Sequence, residues 1–288
     1  MEPNFAFRNN GDGTFTDRAS EWGISTDDEG RARSGMGVDI ADYRNNGVFA
    51  LAIGNFNFQG MGFYEKTPTP PYADVAKRAH IFEPSYPYIT FGVCFSDLDN
   101  DGFPDLFLTN GHILDNISKT NPQQTYAQPP LLFRNKGDGT FMETAQAAGI
   151  SAPLVGRGAC RGDFDNDGKE DLLLIPNTGA PRLLRNETTG TYNWLTIELV
   201  GSKGNRNGFG AQVTVTAGGT SHTAVCKSGG SYLSESDPRL HFGLGSATAI
   251  EAISVRWSNG TQEKISPASP NQVVRIIEGT KQVKPIAK

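Results

Sequence analysis

The stretch "FRNKGDGTFMETAQAAGI" (133–150) has an earlier copy, "FRNNGDGTFTDRASEWGI" (7–24), 126 residues upstream with no gap inside either. A phrase repeated at this length points to a repeated structural unit, so the period of the chain has to be settled first. The second half of the phrase occurs a third time as "YADVAKRAHI" (72–81), with an aromatic first, Ala fifth and Ile last. The first half recurs in weaker form as "LLRNETTGTY" (183–192). Four partial copies spaced by about 50 to 70 residues are too far apart for a solenoid turn and suit a four-stranded propeller blade with loops.

The phrase itself predicts a hairpin. Phe133 and Phe141 flank Asn135-Lys136-Gly137-Asp138-Gly139, and Asp-Gly between apolar strands is a strong turn signal. Asp138 is expected to serve the turn, because no second carboxylate stands near it to share a metal.

Working outward, each period also holds a denser acidic motif. "SDLDNDGFPDLFLTN" (96–110) and "GDFDNDGKEDLLLIPN" (162–177) share D-x-D-x-D-G-x-x-D-L, and their glycines, Gly102 and Gly168, are 66 residues apart. A degenerate copy, "ADYRNNGVFALAIGN" (41–55), has its glycine at Gly47. Oxygens at alternate positions round a tight turn are what a hard cation needs, and a glycine at the sixth place lets the loop close. The expected ligands are Asp97, Asp99, Asp101, Asp105 and the carbonyl of Phe103 in one loop. In the next they are Asp163, Asp165, Asp167, Asp171 and the carbonyl of Lys169.

Calcium fits this all-oxygen set better than magnesium, which demands near-ideal octahedral geometry, or zinc, which would want His or Cys. An EF-hand is excluded on two grounds. Its twelfth position should be Glu, but Leu108 and Leu174 stand there. The flanks "DLFLT" and "DLLLI" are also short apolar strands rather than helices. Two calcium sites are therefore expected. In the degenerate loop Asp42, Arg44, Asn46 and Ala50 hold the ligand places, so no ion is expected between Asp42 and Ala50.

From Asn193 the repeats stop. "NWLTIELVG", "GAQVTVTAG", "SHTAVCKSG", "AISVRWSNG" and "NQVVRIIEG" are strands ending in turn residues, a pattern for a small β-sandwich or barrel. The Gly- and Ser-rich stretch "SGGSYLSESDPRLHFGLG" (228–245) carries Tyr232, Arg239 and His241. It is open to two readings, a ligand surface for sugar or peptide or an ordered loop packed against the propeller.

Composition narrows the function classes. The eight loop aspartates outnumber the net charge of −5, so the acidity belongs to the loops and the rest of the chain is slightly basic. There is no basic stripe for nucleic acid and no apolar run of membrane-spanning length. Three cysteines give no disulfide framework. Cys94 and Cys160 hold the same place in successive repeats and are expected as small buried hydrophobes. His112 is expected to be structural. No nucleophile elbow, zinc-protease motif or phosphate loop is present, although blades could bring two distant carboxylates together for glycoside chemistry.

The acidic loops resemble the FG-GAP or VCBS repeats of integrin-α-type propellers. The segments "NWLTIELVGSKGNRNGFGAQVTV", "SGGSYLSESDPRLHFGLG" and "VRWSNG" resemble the ASPIC/UnbV domain of the cartilage acidic protein-like family. This resemblance implies a propeller with a C-terminal β-domain, and with the repeat count it predicts an all-β chain: a partial, open propeller of about three to four blades over 1–192, a small β-sandwich over 193–280, and a tail at 281–288. It implies a secreted, calcium-stabilised module that binds carbohydrate or an extracellular protein. A polysaccharide-active hydrolase or lyase on a propeller scaffold, or a purely structural domain of a larger secreted protein, are the alternatives. Three inner hairpins against four outer ones predict a C-terminal fragment whose signal peptide lies in a missing N-terminal part. Its open edges would meet the remaining blades of a longer chain or a second copy.

Overall fold

The computed structural model describes residues 2–69 and 71–286. Regular structure among them is β, apart from three helical turns of four residues each. A two-stranded hairpin, β1 (Phe7–Asn9) and β2 (Phe15–Asp17), comes first. Blade 1 is an antiparallel meander of β3 (Val38–Ala41), β4 (Ala50–Ile53), β5 (Gly62–Lys66) and β6 (Tyr72–Asp74). Blade 2 repeats it with β7 (Thr90–Ser96), β8 (Asp105–Asn110), β9 (Leu131–Asn135) and β10 (Phe141–Glu143). Blade 3 has three strands, β11 (Gly156–Gly162), β12 (Asp171–Pro176) and β13 (Arg182–Leu184). The innermost strand β7 lies against β3 on one side and β11 on the other, the arrangement of neighbouring propeller blades.

The repeated phrase turns out to be the joint between blades. Asp17, Asp74 and Glu143 each accept a hydrogen bond from the amide two residues on, that of Ala19, Ala76 or Ala145, at 3.0, 3.0 and 2.8 Å. Ile24, Ile81 and Ile150 then return their amides to the carbonyls of those same alanines. The residue before each isoleucine is left-handed, with φ 75° at Gly23, 61° at His80 and 73° at Gly149. The phrase is thus an outer hairpin followed by a capped turn that hands the chain to the next inner strand.

Blade 2 is covered on both faces, so every residue of β7 and β8 is buried. Successive side chains of a strand point to opposite faces. Val93, Phe95, Leu106, Leu108, Phe133 and Phe141 accordingly pack on blade 1. Cys94 and Phe107 pack on Ala159, Leu172 and Leu174 of blade 3. Each fully buried ring or aliphatic chain contributes about 1.5–3 kcal/mol. The equivalent positions at the two outer faces are open. Phe7 and Phe15, in the places of the buried Phe133 and Phe141, are 63% and 61% exposed. On the far side of blade 3, Phe164 and Leu183 are 55% and 51% exposed.

After blade 3 the chain builds two further sheets around one core. One contains β14 (Asn193–Val200), with β17 (Leu240–Gly245) antiparallel on one side and β20 (Gln272–Ile277) parallel on the other, and β21 (Val283–Pro285) outside β20. The second is the antiparallel order β16 (Thr220–Val225), β15 (Gln212–Ala217), β18 (Ile250–Arg256) and β19 (Gln262–Ile265). Leu195, Ile197, Val213, Val215, Phe242, Ile253, Val274 and Ile276 fill the space between them.

The stretch 228–245 packs on the blades. The Ser231 amide donates to the Val38 carbonyl, and the Ser231 hydroxyl accepts from the Val93 amide. The Ser236 hydroxyl accepts from the Arg161 amide, and the Asp237 amide donates to the Arg161 carbonyl. Inner strands of all three blades are bound in this way. Tyr232 meets Phe91 edge to face at 4.9 Å between ring centres. Arg239 and His241 bond to the acidic loops, as described below. All three side chains face the blades, while Ser231, Ser236 and the Asp237 amide pair with backbone groups of the inner strands.

Candidate metal centre

In each blade one loop joins the first two strands, and all three loops share one hydrogen-bond frame. Asp42, Asp97 and Asp163 each accept the loop glycine amide on Oδ2: Gly47 at 2.8 Å, Gly102 at 2.9 Å and Gly168 at 2.9 Å. Those glycines have φ of 76°, 93° and 93°, where a side chain would be strained. Two residues earlier an asparagine is left-handed every time: Asn45, Asn100 and Asn166, at φ 55°, 59° and 55°. Asparagine tolerates this region better than most residues. The frame needs no metal, which explains Asp42 in a loop that has lost other carboxylates.

Loop 2 gathers oxygens of Asp97, Asp99 and Asp101 within 4.8 Å of one another, and loop 3 gathers those of Asp163, Asp165 and Asp171. Asp105 borders loop 2 and accepts from the amides of Leu98 at 3.3 Å and Asn135 at 2.8 Å. Asp167 borders loop 3 and accepts from the Lys169 amide at 2.9 Å. The Phe103 ring covers Gly137, and the Lys169 ammonium reaches the Thr188 carbonyl at 2.7 Å. The fit to a cation rests on one atom above all. Asp97 Oδ1 is buried and has no hydrogen-bond partner, a costly state for a carboxylate oxygen unless a cation completes it. The surrounding donors are all oxygens, the set a hard divalent ion takes.

The electrostatics agree. Burial, with the other loop carboxylates adding to it, holds Asp97 well above the ordinary aspartate pKa. Burial also leads the causes at Asp105, which lies well above, and at Asp101, raised to about 6. Asp163 and Asp171 are raised by burial, opposed by the amides they accept. Like charges gathered in one place resist ionising together, and a divalent cation removes that resistance.

A guanidinium leans over each acidic loop, a feature the sequence reading missed. Arg134 meets Asp99 at 2.6 Å and Asp101 at 3.8 Å, while Arg185 meets Asp165 at 2.9 Å and Asp167 at 4.0 Å. In loop 1 the pair is reversed. Strand register puts Glu65 in the place of Arg134 and Arg185, and Arg44 stands in the place of Asp99 and Asp165. Arg44 and Glu65 are joined at 2.7 Å. The signal was present in "FRN" and "LRN", where an arginine recurs at the same step of the outer strand.

The loops are also linked to one another and to the last two sheets. Asn45 donates to the Gly102 carbonyl at 2.8 Å, and Asn100 to the Gly168 carbonyl at 2.9 Å. Their Oδ1 atoms face His222 Nδ1 at 3.2 Å and His241 Nε2 at 2.6 Å. Asn166 Oδ1 accepts from Arg239 at 2.7 Å, and Arg239 also donates to the Asp163 carbonyl at 3.1 Å. Burial pushes the pKa of both histidines down. Their partners assign the protons: His222 donates from Nδ1, which faces only oxygen acceptors. His241 donates from Nε2 and accepts the Thr196 hydroxyl on Nδ1 at 2.9 Å.

His112 lies on the side of blade 2 away from these loops. Its ring accepts the Leu114 amide at 3.0 Å, and burial lowers its pKa. Cys94 and Cys226 are buried, Cys160 is half-buried, and all three are free thiols.

Comparison with known proteins matches the two parts separately. Residues 97–173 fit the FG-GAP-like repeat, and residues 201–283 fit the family described as ASPIC and UnbV. The chain carries an FG-GAP-like repeat followed by an ASPIC/UnbV domain. It is similar to human cartilage acidic protein 1, with 28% identity over 96% of this chain and 40% of that protein. For the Xenopus tropicalis protein of the same name the figures are 30%, 90% and 38%, and for the Mus musculus protein 29%, 96% and 41%. The chain therefore spans about two fifths of the length of these relatives. Among the described residues no helix is long and apolar enough to cross a membrane.

Proposed function

We propose that this chain is a calcium-stabilised extracellular binding module, with one calcium ion in each of loops 2 and 3 and none in loop 1. The observation that carries the reading is the unpaired, buried Oδ1 of Asp97, a member of the converged carboxylate group. Asp97, Asp99, Asp101 and Asp105 would hold one ion, and Asp163, Asp165, Asp167 and Asp171 the other, with the carbonyls of Phe103 and Lys169 completing the sets. Bound calcium supplies charge neutralisation. The residues supply the frame, the burial and the arginines that set the local charge. Loops of this simple kind suit an extracellular setting, where calcium modules work at Kd of about 10⁻⁴ to 10⁻³ M.

The ligand is proposed as a carbohydrate or an extracellular protein, met away from Tyr232, Arg239 and His241, whose contacts are internal. The uncovered Phe7, Phe15, Phe164 and Leu183 faces suit a partner with another blade-like face. Calcium titration of chelator-treated protein tests the metal sites. Two ions per chain, lost one at a time in Asp97→Asn and Asp163→Asn, support the reading. A chain that takes up no calcium at millimolar concentration ends it.

A further inference from the structure

The three loop asparagines form a row, and each is met by one polar side chain from the ASPIC/UnbV domain: Asn45 by His222, Asn100 by His241 and Asn166 by Arg239. These partners come from strands β16 and β17 and the residue just before β17. Glycines mark the same points of contact. A Cβ on Gly102 would lie 2.7 Å from the His222 ring, one on Gly168 would enter the Trp194 indole, and one on Gly243 would strike Asp97 Oδ2. The domain thus lies directly on loops 2 and 3, and β17 takes part in shutting water out from Asp97.

Asn100 sits between the ligand aspartates Asp99 and Asp101. Its amide nitrogen holds the Gly168 carbonyl, and the Gly168 amide is held by Asp163. Anything that fixes loop 2 therefore fixes the acceptor for His241 and the turn of loop 3 together. Arg239 closes the series, engaging Asn166 where no fourth loop follows among these contacts.

We infer that the ASPIC/UnbV domain docks on the blades through this matched row, and that docking and metal loading of loops 2 and 3 strengthen each other. The inference rests on the calcium reading above. By linkage the effect is reciprocal: if docking tightens metal binding by some factor, metal tightens docking by the same factor. Asn45, Asn100, Asn166, His222, Arg239 and His241 are positioning residues and touch no metal themselves.

The test uses the full chain and calcium alone. Asn100→Gly keeps the left-handed backbone and every carboxylate but removes the contacts to His241 and Gly168. Arg239→Met breaks the row at its other end, outside the loops. Calcium affinity is read by calorimetry, and docking by amide exchange over residues 228–245. We expect calcium to slow exchange in 228–245 at least severalfold in the unmodified chain, and both variants to bind calcium about tenfold more weakly. Calcium that binds the unmodified chain without slowing that exchange, and binds both variants equally well, overturns the coupling while leaving the metal sites intact. A chain that binds no calcium overturns both. Should Arg239→Met fail to fold, Asn100→Gly decides alone.

Discussion

Loop 1 and loops 2 and 3 occupy the same place in successive blades and close with the same aspartate-to-glycine bond. They differ in where the positive charge comes from. In loops 2 and 3 an arginine on the outer strand leans on loop carboxylates that converge within 4.8 Å of one another. In loop 1 the arginine is in the loop and the carboxylate is on the outer strand. The cation of loop 1 is covalently attached. The comparison shows that the frame and the charge balance are separable: backbone geometry needs one aspartate, one left-handed asparagine and one glycine, and the remaining positions choose what balances the charge.

The largest expected effect comes from Gly168→Ala. Its Cβ would enter the Trp194 indole at φ 93°, which should cost about 3 kcal/mol or more. Gly47→Ala has open space around it and should cost only the strain of a left-handed residue, about 1–2 kcal/mol. Equal losses in urea melts of the two variants would show that the loops are not seated on the domain as described.

Next is the metal. Calcium at ten times its Kd should add roughly 1.4 kcal/mol per site, seen as a rise in Tm that a chelator reverses. Replacing Arg44, Asn46 and Ala50 with Asp and Glu65 with Arg gives loop 1 the charge pattern of its neighbours. Calorimetry should then count three ions rather than two.

The pH dependence is smaller and carries a definite sign. With calcium removed, the raised Asp101 contributes stability fully below the ordinary aspartate value of about 4. That contribution is lost as pH rises through about 6. Asp97 and Asp105 act in the same direction. Calcium binding near pH 6 should therefore release protons, detectable as a binding enthalpy that varies with the buffer. The same variation in Asp97→Asn/Asp101→Asn would contradict the assignment.

The smallest difference separates the arginines. Arg134 is half exposed, so Arg134→Gln should tighten calcium binding only a fewfold at low salt, and less at high salt. Arg44→Gln should leave calcium binding unchanged and cost about 1 kcal/mol or less.

Much of this was legible in the sequence because it is local. The turn at Asp138, the aspartate-to-glycine frame and the aligned places of Cys94 and Cys160 are set by residues a few positions apart that recur in register. The asparagine row had a local signal too, since an asparagine stands two places before each loop glycine. Its meaning did not, because the partners His222, His241 and Arg239 lie 177, 141 and 73 residues away. The same holds for Tyr232, whose partner Phe91 belongs to another part of the fold. A Gly- and Ser-rich segment looks open whether it faces solvent or a row of unpaired strand edges.

Two of the three matching loops are proposed to hold a divalent ion, where the other holds an arginine. Calorimetric titration of the chelator-treated full chain with calcium tests it most directly. A stoichiometry of two, falling to one in Asp163→Asn and unchanged in Asp42→Asn variants that remain folded, is the predicted result. A stoichiometry of zero, or a third ion that disappears with Asp42, would contradict it.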